Sequence, residues 1–224
     1  MKKLLFRFLN ALWIYPLRGI LIFLTYLMYR PKVYYESDRS PRRRVKHPSI
    51  LTCNHLRGCD GAVISAIFPR KRLHPLAARR WYRTWYMHPL LRCGYSIPID
   101  RGTTTWIHRS MQELEKGDSI LIFPEGMAVP GLEIRPFKPG FLLLQKTSGA
   151  PILPLYMEGC YNRPFIKRLY IVVGTPYIPD PPAEGEGTSR AYYDRECRIL
   201  FEKTIALREL LHSKQRKKGR KAKK

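Results

Sequence analysis

The chain has 224 residues, of which 45% are hydrophobic, so it can bury one sizeable core and is not globally disordered. Its 41 lysines and arginines against 17 acidic residues give a net charge of +24, which predicts an anionic partner: nucleic acid, anionic lipid or a phosphorylated substrate. The five cysteines form no CxxC pair and have no zinc-ligand spacing, so we expect reduced thiols and no metal site.

Residues 2 to 29 are apolar and aromatic, with scattered basic residues. The longest uncharged part that follows Arg18 spans residues 19–29, and crossing a bilayer core takes about 20 residues. Pro16 predicts a break between two helices, at about 2–15 and 17–29. The aromatic and basic residue types favour the headgroup level of a membrane. We therefore predict a membrane-associated region at 1–30, with two helices lying in one leaflet; a single tilted span is the alternative.

A histidine and an aspartate stand between a predicted strand and a predicted helix. An apolar run ends at Leu51, His55 follows it, and an apolar helix-like run begins after Asp60. The end of a strand in an α/β sheet is where ligands usually bind. Asp60 has two interpretations: a cap at the start of the helix, or a partner that orients His55 as a base.

The stretch 79–86 interleaves basic and aromatic residues. This composition occurs on surfaces that bind single-stranded nucleic acid. Trp81, Trp85 and His88 also recur at helical spacing, which predicts an ordinary packed face. We favour the packed face and do not expect nucleic acid as the partner.

Two further strand ends carry candidate site residues. An apolar strand within 94–102 ends at Arg101, which is either surface decoration or a phosphate ligand. After a helix at 104–116, a buried strand from Ser119 to Phe123 leads directly into Glu125 and Gly126. A carboxylate at a second strand end predicts that two loops converge on one cleft.

The remaining elements close one domain, predicted to span 31–212. They are a helix at 141–147, a strand at 150–156, a possible edge strand at 170–174 and a helix at about 189–212. The tail, 213–224, carries eight basic residues and no acid. We predict that it is disordered and is attracted to anionic lipid.

Three motifs occur in order: Asn54-His55-x4-Asp60, Ile99-Asp100-Arg101-Gly102 and Phe123-Pro124-Glu125-Gly126. An FKxG sequence at 137–140 and a proline-rich strand follow them. This set resembles the glycerophospholipid acyltransferase family, whose best-known members are the 1-acylglycerol-3-phosphate acyltransferases. The resemblance covers about residues 48–160 and implies an α/β fold, a mixed β-sheet flanked by helices. The N-terminal helix pair is similar to the membrane anchor of small bacterial members.

The resemblance also implies a reaction: transfer of a fatty acyl group from acyl-CoA or acyl carrier protein to the free hydroxyl of a lysophospholipid. The first acceptor would be 1-acylglycerol-3-phosphate, giving phosphatidic acid at the cytoplasmic face of a bacterial inner membrane. His55 matches the catalytic base and Asp60 the residue that orients it. The residues matched to substrate binding are Asn54, Arg101 for the acceptor's phosphate, Glu125 and Gly126. No cofactor is implied beyond the acyl donor.

The chemistry is consistent with these residue types. A thioester is already activated, so a base near neutral pH suffices, and it contributes about 10²–10⁴ in rate. Main-chain N–H groups of the Gly58–Gly61 turn or of Gly126 would stabilise the oxyanion.

One departure from the family pattern leaves the acceptor open. The third motif of the family often continues Thr-Arg, where this chain has Met127 and Ala128. The acceptor is therefore 1-acylglycerol-3-phosphate, another lysolipid or an amino-acid lipid. Two alternatives come from other classes: a catalytically inactive module that binds lipid surfaces, and a nucleic-acid-binding protein.

Overall fold

The computed structural model describes residues 2–100, 102–128, 131, 133–159, 168–182 and 189–221, without the side chains of 2–15 and 218–221. In this part of the chain seven strands form one sheet, in the order β1-β7-β6-β2-β5-β3-β4. The strands are β1 Lys32–Tyr35, β2 Ile50–Cys53, β3 Leu73–Ala78, β4 Ile97–Ile99, β5 Ser119–Ile122, β6 Ile152–Gly159 and β7 Leu169–Val173. The α-helices are α1 Lys2–Tyr29, α2 Asp60–Ile67, α3 Met87–Cys93, α4 Thr105–Glu115, α5 Gly140–Ser148 and α6 Arg190–Lys221.

The sheet is mixed, with a parallel centre. Strands β4, β3, β5, β2 and β6 are parallel, β7 is antiparallel to β6, and β1 is parallel to β7. The predicted mixed sheet flanked by helices is confirmed. Because β2, β3 and β5 run in the same direction, the residues that follow them lie at one edge of the sheet.

Short apolar strands at the centre are buried on both faces, as parallel strands usually are. Successive side chains alternate between two layers. Leu51 and Leu121 pack with Val63 and Ile64 of α2 on one face. On the other face, Ile50 and Ile120 pack with residues of α4, α5 and α6, among them Trp106, Phe141 and Leu200.

The N-terminal segment forms one helix. Pro16 lies inside α1, which runs without a break from Lys2 to Tyr29 and packs against α2 and α3. The predicted pair of helices is therefore wrong. A proline removes one main-chain hydrogen bond, and the strong helix formers around it, such as Leu17 and Arg18, let the helix continue. Within the described residues, no helix combines the length and the hydropathy needed to cross a bilayer.

The C-terminal helix is longer than the sequence predicts. Helix α6 continues through His212 to Lys221, so the tail predicted to be disordered is helical as far as Lys221. Lysine, arginine and glutamine are good helix formers, and an existing helix extends at low cost. The Lys214 ammonium also donates to the Tyr35 carbonyl at 3.1 Å, which attaches this part of α6 to β1.

Two other expectations are wrong. Strand β7 is not an edge strand, because β1 pairs with it and takes that position. Trp81 and Trp85 do not form a packed face: their exposed fractions are 43% and 86%. The chain breaks here into a short 3-10 helix at Arg79–Arg83 and then α3, so a four-residue spacing no longer selects one face.

Candidate active site

His55 and Asp60 form a hydrogen-bonded pair at the carboxyl edge of the sheet. His55 lies two residues beyond β2, and Asp60 is the first residue of α2. The His55 Nδ1 and the Asp60 Oδ2 atoms are 2.7 Å apart. The same Oδ2 accepts hydrogen bonds from the main-chain N–H groups of Leu56, at 2.6 Å, and Arg57, at 2.9 Å. Asp60 therefore orients His55 and also fixes the turn between them.

The capping interpretation of Asp60 is not what the structure shows. Cys59 occupies the N-cap position of α2 and makes no side-chain capping bond. The Asp60 carboxylate binds N–H groups of the preceding turn instead of those of the helix. The carboxylate is fully buried, so the three donors that bind its Oδ2 (the His55 ring and the two N–H groups) replace the hydrogen bonds of solvent.

The ring of His55 is held on one face by Phe123, the residue after β5. The two ring centroids are 4.1 Å apart and the planes differ by 16°. With its Nδ1 hydrogen donated to Asp60, the ring carries its lone pair on Nε2, the atom that can act as a base. Nε2 makes no hydrogen bond within the described residues, and 18% of the side chain is exposed. The sequence analysis missed Phe123 as a site residue, although it directly precedes the third motif.

Glu125 joins the two loops. Its Oε1 accepts from the His55 N–H at 2.8 Å, and its Oε2 accepts from the Arg135 N–H at 3.1 Å. Burial raises the pKa of the Glu125 carboxyl above its usual value, against the opposing effect of the hydrogen bonds from His55 and Arg135. The expected convergence of the loops after β2 and β5 is what the structure shows. Both carboxylate oxygens bind main-chain donors, and a contact between Glu125 and substrate stays a prediction.

Asn54 fastens the end of β2 to β6. Its Nδ2 donates to the Met157 carbonyl at 2.8 Å, and its Oδ1 accepts from the Met157 N–H at 2.7 Å. The side chain is buried, so it positions the neighbouring His55 from within the sheet. Its predicted contact with substrate stays a prediction.

Gly126 needs to be a glycine for conformational reasons. Its φ is +75°, in the left-handed region that other residues rarely adopt. The end of the Lys138 side chain covers it: Nζ lies 3.0 Å from where a Cβ atom would stand. Gly126 also donates its N–H to the Phe123 carbonyl at 3.0 Å, so this N–H is not free for an oxyanion.

Arg101, the predicted phosphate ligand, lies outside the described residues, and its role stays a prediction. Its neighbour Asp100 forms an ion pair with Arg79, which follows β3 at the same edge of the sheet. The carboxylate of Asp100 compensates the charge of Arg79.

The two cysteines nearest to the His55–Asp60 pair in sequence, Cys53 and Cys59, are not activated nucleophiles. Burial, reinforced by the negative charge of Asp60, raises the pKa of both the Cys53 and the Cys59 thiols. Both are therefore protonated near neutral pH. The Cys59 thiol is hydrogen-bonded to the hydroxyl of Tyr29, which links α1 to this loop.

Among the described residues, His74, Glu113 and Asp118 form the group whose donor atoms could hold a metal ion. His74 Nε2 lies 3.2 Å from Asp118 Oδ2 and 3.6 Å from Glu113 Oε2. The cluster sits at the start of β3 and β5, at the edge opposite His55. Arg72 and Lys116 already pair with its carboxylates, so we assign no metal to it.

Comparison with known proteins places these features in a family. Residues 32–158, more than half of the chain, match the family model described as Acyltransferase. A 1-acyl-sn-glycerol-3-phosphate acyltransferase of Limnanthes alba is 28% identical over 123 residues, 52% of this chain and 43% of the relative. A probable 1-acyl-sn-glycerol-3-phosphate acyltransferase of Mycoplasma genitalium is 26% identical over 125 residues, 53% of this chain and 47% of the relative. The chain thus spans less than half the length of these curated relatives.

The fold has a counterpart among solved structures. The crystal structure of the 1-acyl-sn-glycerophosphate acyltransferase PlsC from Thermotoga maritima aligns with a TM-score of 0.59 and 18% identity. The alignment covers 92% of this chain and 93% of that one, so the likeness in fold extends over most of the chain. The family match spans β1 to β6 and includes the loops that carry His55, Asp60 and Glu125, and we conclude that this chain belongs to the Acyltransferase family.

Proposed function

We propose that this protein transfers a fatty acyl group from an acyl thioester to the free hydroxyl of a lysophospholipid, with 1-acylglycerol-3-phosphate as the preferred acceptor. The observation that carries the proposal is the 2.7 Å contact between His55 Nδ1 and Asp60 Oδ2 at the sheet edge, in a chain of this family. The acyl donor is acyl-CoA or acyl carrier protein, and no further cofactor is required.

In the proposed reaction, His55 Nε2 takes the proton from the acceptor hydroxyl as its oxygen attacks the thioester carbonyl. The tetrahedral intermediate collapses, the C–S bond breaks, and the imidazolium returns the proton to the leaving thiolate. The buried Asp60 carboxylate stabilises the imidazolium between these two steps. The oxyanion donors that we propose are the N–H groups of Gly58, Cys59 and Gly61. The N–H of Asp60 donates to the Arg57 carbonyl, and that of Gly126 donates to the Phe123 carbonyl.

An acyl-transfer assay on the full chain in detergent or liposomes tests the proposal. It offers labelled acyl-CoA and acyl carrier protein with a panel of lysophospholipids, lysolipids of other headgroups and an amino-acid lysolipid. We expect transfer to 1-acylglycerol-3-phosphate. Preference for another acceptor would keep the mechanism and change the substrate. Folded protein that acylates none of them would leave the inactive lipid-surface module as the better account.

We also propose that the protein works at the cytoplasmic face of an anionic membrane. The supporting feature is a set of exposed aromatic side chains: Phe23 and Tyr26 on α1, and Trp81, Trp85 and Tyr86 after β3. Helix α1 and the 3-10 helix that carries Trp81 both contact α3. Aromatic rings of this kind favour the headgroup level, and neighbouring basic residues such as Arg80 and Arg83 are attracted to anionic lipid.

The Trp85→Ser variant tests the membrane proposal. Trp85 is 86% exposed, so this substitution removes a large apolar side chain from the surface and creates no cavity in the core. We expect binding to vesicles that contain anionic lipid to weaken by about tenfold or more in a flotation assay. The matched control is Ile178→Ser, which removes an apolar side chain that is 64% exposed and follows β7, away in sequence from these aromatic residues. Equal binding of Trp85→Ser and the unaltered protein would contradict the proposal.

A further inference from the structure

Two basic side chains lie on the segment that returns to the Glu125 loop. Lys138 lies over Gly126, with Nζ 3.0 Å from the position of a Cβ atom on that glycine. The guanidinium of Arg135 contacts the next residue, Met127, with Nη1 2.8 Å from its sulfur. The two positive charges therefore flank neighbouring residues of one turn, immediately after the carboxylate that binds the His55 N–H.

The main chain fixes both residues at this turn. The Lys138 N–H donates to the Pro124 carbonyl at 2.9 Å. The Arg135 N–H donates to Glu125 Oε2 at 3.1 Å. The positions of the two side chains are thus tied to the same loop that holds His55, and a substitution of either side chain leaves these main-chain bonds in place.

Neither basic side chain forms an ion pair within the described residues. Within the described residues, Lys138 Nζ forms no hydrogen bond or ion pair, and the guanidinium of Arg135 contacts a thioether, a weak acceptor. Glu125, the carboxylate beside them, already accepts two main-chain hydrogen bonds. Two like charges on one turn repel each other, and both side chains are exposed, so a soluble anion can reach them.

We propose that Arg135 and Lys138 form a phosphate-binding subsite beside the reacting groups. A guanidinium can bind two phosphate oxygens at once, and an ammonium adds a point charge and further donors. A ligand phosphate held there would sit next to the loop that carries His55, so it would position the rest of the ligand for reaction. This inference rests on the proposed function, because it assigns a substrate contact for that reaction.

The phosphate can come from either substrate. A lysophospholipid acceptor such as 1-acylglycerol-3-phosphate carries a phosphate group, and an acyl-CoA donor carries a 3′-phosphate and a diphosphate. The subsite has the same chemistry in both cases, and the experiment separates the two sources.

The test measures kcat and KM for the full chain and for Lys138→Gln, Arg135→Gln and the double variant. The acceptors are 1-acylglycerol-3-phosphate and monoacylglycerol, which lacks phosphate; the donors are acyl-CoA and an acyl N-acetylcysteamine thioester, which also lacks it. We expect each single variant to lower kcat/KM for the phosphate-bearing substrate by about 10- to 100-fold, mainly because its KM rises. A change of this size corresponds to the loss of one charged hydrogen bond. The loss follows the acceptor if the acceptor's phosphate is bound, and the donor if that of CoA is bound. Lys138→Arg should restore most of the binding.

Lys146→Gln is the matched control, because Lys146 is an exposed lysine near the far end of α5, and we expect no change in KM. A variant effect that is equal for substrates with and without phosphate would overturn the subsite.

Isothermal titration of glycerol 3-phosphate onto the full chain gives a readout that does not depend on turnover. Binding that weakens in Lys138→Gln supports the subsite even if no acyl transfer is found, in which case the proposed function alone fails. Absence of glycerol 3-phosphate binding, together with unchanged KM values in the variants, would overturn the subsite and leave the proposed function standing.

Discussion

His55→Ala is expected to lower kcat for acyl transfer by about 10²–10⁴, the contribution of a positioned general base. The variant lacks the Nε2 atom that accepts the hydroxyl proton. In the proposed reaction this atom contacts the acceptor hydroxyl and not the acyl donor. We therefore expect the KM for the acyl donor to change little. The assay is steady-state transfer with the acceptor that the unaltered protein prefers.

The fold should survive this change. Asp60 keeps the hydrogen bonds from the Leu56 and Arg57 N–H groups, so its buried carboxylate is not left without donors. Circular dichroism and thermal unfolding in the same detergent check this. His108→Ala is the control, because His108 is an exposed histidine on α4. Acyl transfer by His55→Ala at a rate within tenfold of that of the unaltered protein would contradict the proposed mechanism.

Asp60→Asn is expected to lower kcat by a comparable factor, about 10²–10⁴. The amide is uncharged, so it stabilises the imidazolium far less than a carboxylate does. The ring and the two turn N–H groups share one acceptor atom, so an amide oxygen in that place can accept all three. The loss should therefore appear in kcat without unfolding.

A second carboxylate–histidine pair gives this experiment a close control. Asp118 Oδ2 lies 3.2 Å from Nε2 of the buried His74, at the opposite edge of the sheet. Asp118→Asn removes the same charge from a similar pair, so we expect kcat to stay unchanged. Equal losses in Asp60→Asn and Asp118→Asn would mean that the effect is one of stability and not of catalysis.

Local patterns predicted the elements with the clearest limits. The strand predicted from Ser119 to Phe123 spans Ser119–Ile122, and α4 is within one residue of its predicted bounds, because Gly117 ends it. The predicted helix break at Pro16 and the predicted disorder of the basic C-terminal segment are both wrong. At these places helix propensity and continuity outweighed a single strong signal, a proline or a run of like charge.

The pairing of His55 with Asp60 was predictable because both residues lie in one short turn. The bonds that hold the pair in place were not. Asn54 binds Met157, 103 residues away, and the His55 N–H binds Glu125, 70 residues away. Such contacts depend on which strands become neighbours, and no local period encodes that choice. Sequence reasoning therefore predicted the His55–Asp60 pair and missed the hydrogen bonds that anchor it to the rest of the sheet.

The two hydrogen bonds between Asn54 and Met157 have a consequence for synthesis of the protein. His55 leaves the ribosome within the first quarter of the chain, but β5 and β6, the neighbours of β2, are made about 70 and 100 residues later. The turn between His55 and Asp60 can form early, since its bonds are local. Its anchorage to the sheet has to wait for translation to pass β6 and release it from the exit tunnel. A nascent chain stalled before Gly159 would carry the histidine and its aspartate and would still lack the framework that aims them.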